Sequence, residues 1–441
     1  MPKSRKSAPR KSAASAASKQ AARHAQAEKL VQVAQLAVAQ IRSGNSSEAS
    51  EAGAHLYDLV EQHVLRGHDS LVEHALTIAT DLQDSSVYSM ILDAAEVEAQ
   101  SEEQVLGVLS QAGTEGALAP ILSTLFAIPV FFSDLGKLRA RELPTDGNFK
   151  ELTASLGKAG VVNETQRFVL VPYLYSAPQL TSLSFSHVRK MVGIITESVL
   201  EAENDSADIA EYWRPKDSKE DFGSELGPVP GMGFILGVML DSDIGGEVFE
   251  AKLGDDSATN DKAVEELKGQ MLQWTEQSKE LLTSIVSPLD EKAGVHALPP
   301  GPYYTAVRTG FSSLVKANAT MQVNDILRET GATPANINVI LALYDTGAGY
   351  LEAAASLVSA VDDELLGVVD LPIFEFREID NVVNIFTTAL ESFGFARLEV
   401  LELIIDQIHC GDCGGAMYVS SSDGKGKIAL DHILPASGTL H

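Results

Sequence analysis

Cys410 and Cys413 are the only cysteines among 441 residues, and two residues separate them. They lie in the segment C-G-D-C-G-G, where Gly411 and Gly414 let the backbone turn tightly enough to aim two thiolates at one ion. His432 follows Cys413 by nineteen positions. This spacing of thiols, glycines and an imidazole predicts a metal knuckle, meaning a short loop that presents two cysteine sulfurs to one metal ion.

The stretch between the cysteines and His432 predicts a β-hairpin, because "AMYV" and "KIAL" flank a Ser-Asp-Gly turn. The sulfur and nitrogen donors of a tetrahedral zinc site are available from Cys410, Cys413, His432 and His409. Zinc is therefore the expected cofactor, if there is one. A zinc ribbon normally adds a second C-x-x-C after its hairpin, which this chain lacks. Asp412, Asp431 or a second subunit are the other groups that would complete the site.

Two other interpretations of the cysteines stay open. One is a knuckle that has kept its shape and holds no metal. The other is a redox pair, although a thioredoxin-like motif lies between a strand and a helix, whereas a hairpin is predicted after Cys413.

The C-terminal 60 residues resemble the end of an uncharacterised family of bacterial cytosolic proteins, a domain of unknown function. The resemblance lies in "NVVNIFTTALESFGFARLEVLELIIDQIHCGDCGGAMYVSSSDGKGKIALDHILP", with its helix, strand, C-x-D-C-G knuckle, glycine turn and His-x-x-Leu-Pro tail. The chain differs at Gly411 and Ala416, where the family tends to have Asp and Pro. The resemblance implies a helical N-terminal part and no established activity. The matching residues are Cys410, Asp412, Cys413, Gly414, Tyr418, Gly424, His432, Leu434 and Pro435.

Asp345 lies in "LALYDTGAGY", which contains the D-T-G-A signature of aspartic proteases. In those enzymes two carboxylates share one proton, and each comes from its own D-T-G or D-S-G motif. This chain has no second such motif, and "YLEAAASLVSAV" after the first is typical of a helix. We therefore expect Asp345 to cap a strand-to-helix turn, with a protease-like site as the third alternative.

Asp241 and Asp243 follow the apolar run "GFILGVML". A strand that ends in Asp-x-Asp resembles the start of haloacid-dehalogenase-type phosphohydrolases, in which one carboxylate attacks and both help to bind Mg²⁺. Gly245 occupies the position where that pattern has Thr or Val. A Mg²⁺-dependent phosphohydrolase is therefore the main enzymatic alternative, and a solvated turn in a very acidic protein is the simpler expectation.

The net charge of −28 is distributed unevenly. Residues 1–29 carry eight Lys or Arg and one acidic residue, whereas from residue 30 onward 25 basic and 60 acidic residues give a net charge of −35. The body therefore repels nucleic acids and anionic membranes. A weak nucleic-acid contact is expected only through the basic N-terminal tail, and a protein partner or a homodimer is the other expectation.

The composition indicates a globular, soluble, cytoplasmic protein. Two cysteines in so long a chain fit a reducing compartment better than a disulfide framework. The longest apolar run, 118–132, is too short and too interrupted by Ser, Thr and Pro to cross a bilayer.

Composition and the pattern of apolar residues divide the chain into four parts. We predict a disordered basic tail at 1–26 and a helical region at 27–115. A mixed α/β body follows at 116–408, split near 215–231 or 286–304, and the knuckle and hairpin occupy 409–441. A helix is predicted after Ser101, where Gln104 completes a capping box. Apolar runs in the body predict strands at 125–132, 167–175, 234–240, 338–344, 365–371 and 397–404.

The predicted fold is thus an α/β or α+β body with an all-helical N-terminal region and a small zinc-ribbon-like hairpin at the C-terminus. No set of acid, base and nucleophile assembles in the sequence. An interaction or regulatory protein is therefore expected rather than an enzyme, with no substrate indicated.

Overall fold

The computed structural model describes residues 11–44, 46–107, 118–132, 142–145, 147–161, 166–176, 179–180, 183–201, 231–241, 257–286, 295–347, 351–373, 379–423 and 427–433. The described helices are α1 (Lys11–Ser43), α2 (Ser46–Leu65), α3 (Asp69–Asp81), α4 (Ser85–Gln100), α5 (Gly147–Lys158), α6 (Phe185–Glu201), α7 (Ser257–Val286), α8 (Tyr303–Thr330) and α9 (Ile379–Glu391). No helix among these residues has both the length and the apolar character that spanning a membrane requires.

The described strands form a first sheet, a second sheet and a hairpin. They are β1 (Ser101–Gly107), β2 (Leu118–Phe132), β3 (Gln166–Ser176), β4 (Gly231–Asp241), β5 (Val295–Ala297), β6 (Gly301–Pro302), β7 (Ile337–Asp345), β8 (Leu351–Ser359), β9 (Leu365–Ile373), β10 (Arg397–Asp406), β11 (Tyr418–Ser422) and β12 (Ile428–Asp431). The structure thus has N-terminal helices, a mixed α/β body and a C-terminal hairpin, which confirms the predicted fold class.

The first sheet has the order β1-β2-β4-β3, and all its pairs are antiparallel. One edge of the long strand β2 pairs with β4, and the other edge pairs in turn with β1, β6 and β5. Leu125 and Ala127 of β2 pack in a core with α1–α4 and α6. Phe126 and Ile128 point to the opposite face, where α5 and α7 cover the sheet. Helices therefore lie on both faces of this sheet.

The second sheet has the order β10-β7-β8-β9. Strands β7, β8 and β9 form an antiparallel meander, and α9 is the crossover that makes β10 parallel to β7. Val339 and Leu341 of β7 pack against α8 and α9. Ile340, Ala342 and Tyr344 point to the other face, which the hairpin β11–β12 covers. Helix α8 contacts both sheets, touching β2 and β4 of the first and β9 of the second.

The six strands predicted from apolar runs are all present, but two predicted helices are wrong. Helix α1 begins at Lys11, inside the predicted basic tail, in a segment rich in alanine, the best helix former. Disorder of the tail stays a prediction. Residues 1–10 lie outside the described residues.

The helix predicted after Ser101 is strand β1, which pairs with residues 118–124 of β2. The predicted helical region therefore gives way to a strand at Ser101, before residue 115. The helix predicted after Asp345 is strand β8. Ala353 and Ala354 are fully buried on opposite faces of the sheet, so packing has overridden their helix propensity. The remaining domain boundaries stay predictions.

Candidate metal centre

The loop from Ile408 to Met417 joins β10 to the hairpin and is closed by backbone hydrogen bonds. The Cys410 N–H donates to the Gly415 carbonyl at 2.8 Å, and the Gly414 N–H donates to the Cys410 carbonyl at 2.8 Å. Gly414 has φ +73°, a left-handed conformation that only glycine adopts without strain. The Met417 N–H donates to the Ile408 carbonyl at 2.9 Å and closes the base of the loop.

This loop and the end of β12 bring three ligand groups together. Cys410, Cys413 and His432 each offer one ligand atom, and the three atoms lie within 4.8 Å of one another. Both cysteines are free thiols. Tetrahedral zinc with Zn–S bonds of about 2.3 Å needs its sulfurs about 3.8 Å apart, so three atoms this close fit around one ion.

The backbone also favours the thiolate form that binds metal. The N–H groups of Cys413 and then of Asp412 hold the pKa of the Cys410 thiol below its ordinary value. The Gly415 N–H donates to the Cys413 sulfur at 3.4 Å. Because metal ligation requires deprotonated sulfur, the two N–H groups at Cys410 favour the state in which this residue can hold an ion.

His432 is mostly buried, with 16 % of its side chain exposed. Its Nδ1 atom is buried and has no hydrogen-bond partner among the described residues. Asp431 Oδ1 lies 3.7 Å from that nitrogen, which is too far for a hydrogen bond, and accepts from the His432 backbone N–H at 2.8 Å instead. A buried nitrogen without a partner is costly. One ring nitrogen of this imidazole lies within ligand distance of both sulfurs.

The structure does not bring His409 into this group. Its backbone pairs with Ala416 in an isolated antiparallel bridge, and neighbouring residues in extended chain point to opposite sides. Of the four predicted ligands, three converge and His409 does not. His441, a further imidazole close in sequence to His432, lies outside the described residues.

The predicted catalytic aspartates occupy other places. Asp241 ends β4, and its Oδ2 accepts a hydrogen bond from Gln166 Nε2 at 2.9 Å. Both neighbours of β4 run antiparallel to it, so they do not end beside Asp241 as parallel strands would. Asp243 lies outside the described residues.

Asp345 is exposed at the end of β7, and its Oδ1 accepts from the Gly347 N–H at 2.9 Å, which forms a turn towards β8. The turn joins two strands, so the predicted strand-to-helix cap is wrong. Within the described parts of the chain, the Cys410–Cys413–His432 group is the one cluster of three or more His, Cys, Asp or Glu in ligand geometry. Asp241 and Asp345 belong to no such cluster.

The contacts that hold the hairpin on the second sheet were not predicted. The Tyr344 hydroxyl accepts from the Val419 N–H at 2.9 Å, and the Tyr418 hydroxyl bonds to Glu352 Oε1 at 3.2 Å. Burial raises the pKa of the Glu352 carboxyl, and the charge of Asp370 raises it further. Tyr344 lies in an apolar strand and Tyr418 in a short, serine-rich one, so no sequence pattern links the two.

The fold and the site define a mixed α/β protein with a candidate Cys₂His metal centre at its C-terminus. A family model described as "Protein of unknown function (DUF2863)" matches residues 15–430. The chain therefore belongs to this family. The match includes both cysteines and stops two residues before His432. No curated protein and no solved structure matches the chain.

Proposed function

We propose that the C-terminal segment 408–433 is a zinc-binding knuckle, and that the protein is a non-catalytic interaction or regulatory protein. The observation that carries the proposal is the convergence of Cys410, Cys413 and His432 within 4.8 Å, with a buried, unpartnered nitrogen on the imidazole. Two thiolates and an imidazole are the donor set that zinc prefers in proteins.

The order of the ligands along the chain gives the ion a structural role. Cys410 and Cys413 precede β11, and His432 follows β12, so one ion would join both ends of the hairpin. The hairpin itself has only five- and four-residue strands, and a two-stranded ribbon of that size is marginally stable alone. An ion at its base would hold it against the second sheet.

Exposed apolar side chains beside the ligands support a role in protein interaction. Ile408, at the start of the cysteine loop, is 49 % exposed. Ile433, which follows His432, is 52 % exposed. Ile404 on edge strand β10 is 57 % exposed. Exposed apolar groups at the loop, after His432 and on an edge strand favour contact with another protein.

Two free thiols within ligand distance of one another also support a reducing, cytoplasmic environment. In an oxidising compartment, cysteines this close together would be prone to form a disulfide, and a disulfide cannot bind zinc.

The test is elemental analysis of the purified full chain and three variants. We expect about one zinc per chain in the unmodified protein, and loss of most of it in Cys410→Ser and His432→Ala. His409→Ala is the matched control, because it removes a neighbouring imidazole outside the cluster and is expected to keep its zinc. The proposal would be refuted if the protein, prepared under reducing conditions and offered zinc, still contained none. Equal zinc contents in Cys410→Ser and in the unmodified protein would also refute it.

A further inference from the structure

The three converging ligands leave one position of a tetrahedral ion to be filled. Structural zinc sites have four protein ligands, whereas sites with three protein ligands keep an exchangeable position. In the described parts of the chain, no further Cys, His, Asp or Glu joins Cys410, Cys413 and His432. Asp431, the nearest carboxylate along the chain, already accepts the His432 backbone N–H.

Gly415 lies beside two of the three ligands. A Cβ atom at residue 415 would lie 3.4 Å from the Cys413 sulfur and 3.9 Å from His432 Cδ2. Gly415 uses only its backbone in the loop, donating to the Cys413 sulfur and accepting from the Cys410 N–H. Unlike Gly414, it does not have a positive φ. A side chain at residue 415 would therefore lie against two of the three ligands.

The charges around the site select the kind of ligand. Zn²⁺ with two thiolates and a neutral imidazole has no net charge, so a fourth anionic ligand would make the centre negative. Asp412 is exposed between the two cysteines, and Asp431 Oδ1 lies 3.7 Å from the His432 ring. The chain as a whole carries −28. These negative charges disfavour a thiolate or carboxylate and favour a neutral nitrogen donor.

We propose that the metal has an exchangeable fourth position that accepts a neutral imidazole from outside the chain. This inference rests on the proposed zinc site. The imidazole belongs either to a small molecule or to a histidine of another protein chain, including a second copy of this one. In both cases the same nitrogen chemistry completes the coordination sphere.

The test uses the full chain loaded with Co²⁺ in place of zinc, because the visible spectrum of Co²⁺ reports its ligands. We expect a sulfur-to-metal charge-transfer band that is absent in Cys410→Ser. Titration with imidazole is expected to shift the ligand-field bands more strongly than titration with azide at the same concentration, since nearby carboxylates disfavour an anion. Gly415→Ala is expected to bind Co²⁺ normally and imidazole several-fold more weakly.

The outcomes separate the two proposals. Absence of the charge-transfer band would refute the metal site itself. A normal band that imidazole does not change, or azide binding as tight as imidazole binding, would refute the exchangeable position alone. A spectrum that becomes sensitive to imidazole only in His441→Ala would show that the chain's own tail fills the position, which also overturns the inference.

Sedimentation of the metal-loaded protein identifies the source of the imidazole. A metal-dependent dimer that free imidazole dissociates would assign the donor to a second copy of the chain. A monomer with an imidazole-sensitive spectrum would assign the donor to another molecule.

Discussion

The hydroxyl of Tyr344 accepts a hydrogen bond of 2.9 Å from the backbone N–H of Val419, and both residues are fully buried. Tyr344 belongs to the central part of the second sheet, and Val419 belongs to the hairpin that carries His432 at its end. This bond therefore joins the fold to the element that positions a metal ligand.

Tyr344→Phe is expected to destabilise the protein by about 1–3 kcal/mol, because it leaves the buried Val419 N–H without an acceptor. Urea unfolding measures the loss, and hydrogen exchange at the Val419 amide is expected to rise. Tyr418→Phe is the matched control with a smaller expected loss, since its partner Glu352 is only half-buried. Unchanged exchange at Val419 in Tyr344→Phe would contradict this view of the contact.

Glu352→Gln is expected to stabilise the protein at pH 7–8. Burial, followed by the charge of Asp370, raises the pKa of Glu352, so the folded state binds this proton more tightly than the unfolded state does. The stabilisation from the protonated carboxyl is complete below the unfolded pKa of about 4.3 and is lost as the pH rises through the higher folded pKa. Glutamine keeps the uncharged state at all pH values.

The free energy of unfolding of Glu352→Gln and of the unmodified protein should therefore converge near pH 4. Urea unfolding across a pH series measures the difference. Glu329→Gln, an exposed change of the same kind at the end of α8, is the matched control. The prediction would be contradicted if the free energies of unfolding of Glu352→Gln and the unmodified protein moved further apart as the pH falls.

The same substitution is expected to have opposite effects at two helical glycines. Gly310 is buried in α8, where a Cβ would lie 2.8 Å from Phe234 and 3.0 Å from Pro129, so Gly310→Ala should cost about 1–3 kcal/mol through overpacking. Gly269 is exposed in α7 with no atom within 4 Å of its Cβ position, so Gly269→Ala should stabilise by about 0.5–1 kcal/mol. Stabilisation by both, measured by thermal unfolding, would mean that α8 does not pack on the first sheet as described.

Removal of metal by a chelator under reducing conditions is expected to loosen the hairpin and leave the two sheets folded. Hydrogen exchange should increase at the amides of β11, and amides in β4 should stay protected because both faces of that strand are buried. His432→Ala should show the same pattern without chelator. Equal exchange in β11 with and without metal would argue against a structural role for the ion.

The sequence predicted the strands that are continuous apolar runs, such as β4 and β7. It did not predict β8, because the alanines at 353–355 favour a helix in isolation and the strand exists only between β7 and β9. Strand β1 was missed for a related reason, since Ser101–Gly107 is held by the edge of β2 and not by an apolar pattern of its own. Both errors come from contacts between segments far apart in the chain.

Cys410, Cys413 and His432 were predictable because local features determine their geometry. The glycine-flanked pair fixes the loop, and a short hairpin necessarily returns the chain to its starting point. The exclusion of His409 depends on its pairing with Ala416, and the docking of the hairpin depends on Tyr344 and Glu352. These three contacts have no local signature, and only the folded structure reveals them.

X-ray absorption at the zinc edge of the metal-loaded full chain tests the central claim most directly, because it counts the atoms bound to the ion. The account predicts two sulfurs at about 2.3 Å with one protein nitrogen at about 2.0 Å, and a fourth light atom that changes when imidazole is added. A spectrum of oxygen and nitrogen ligands alone, with no sulfur contribution, would contradict it.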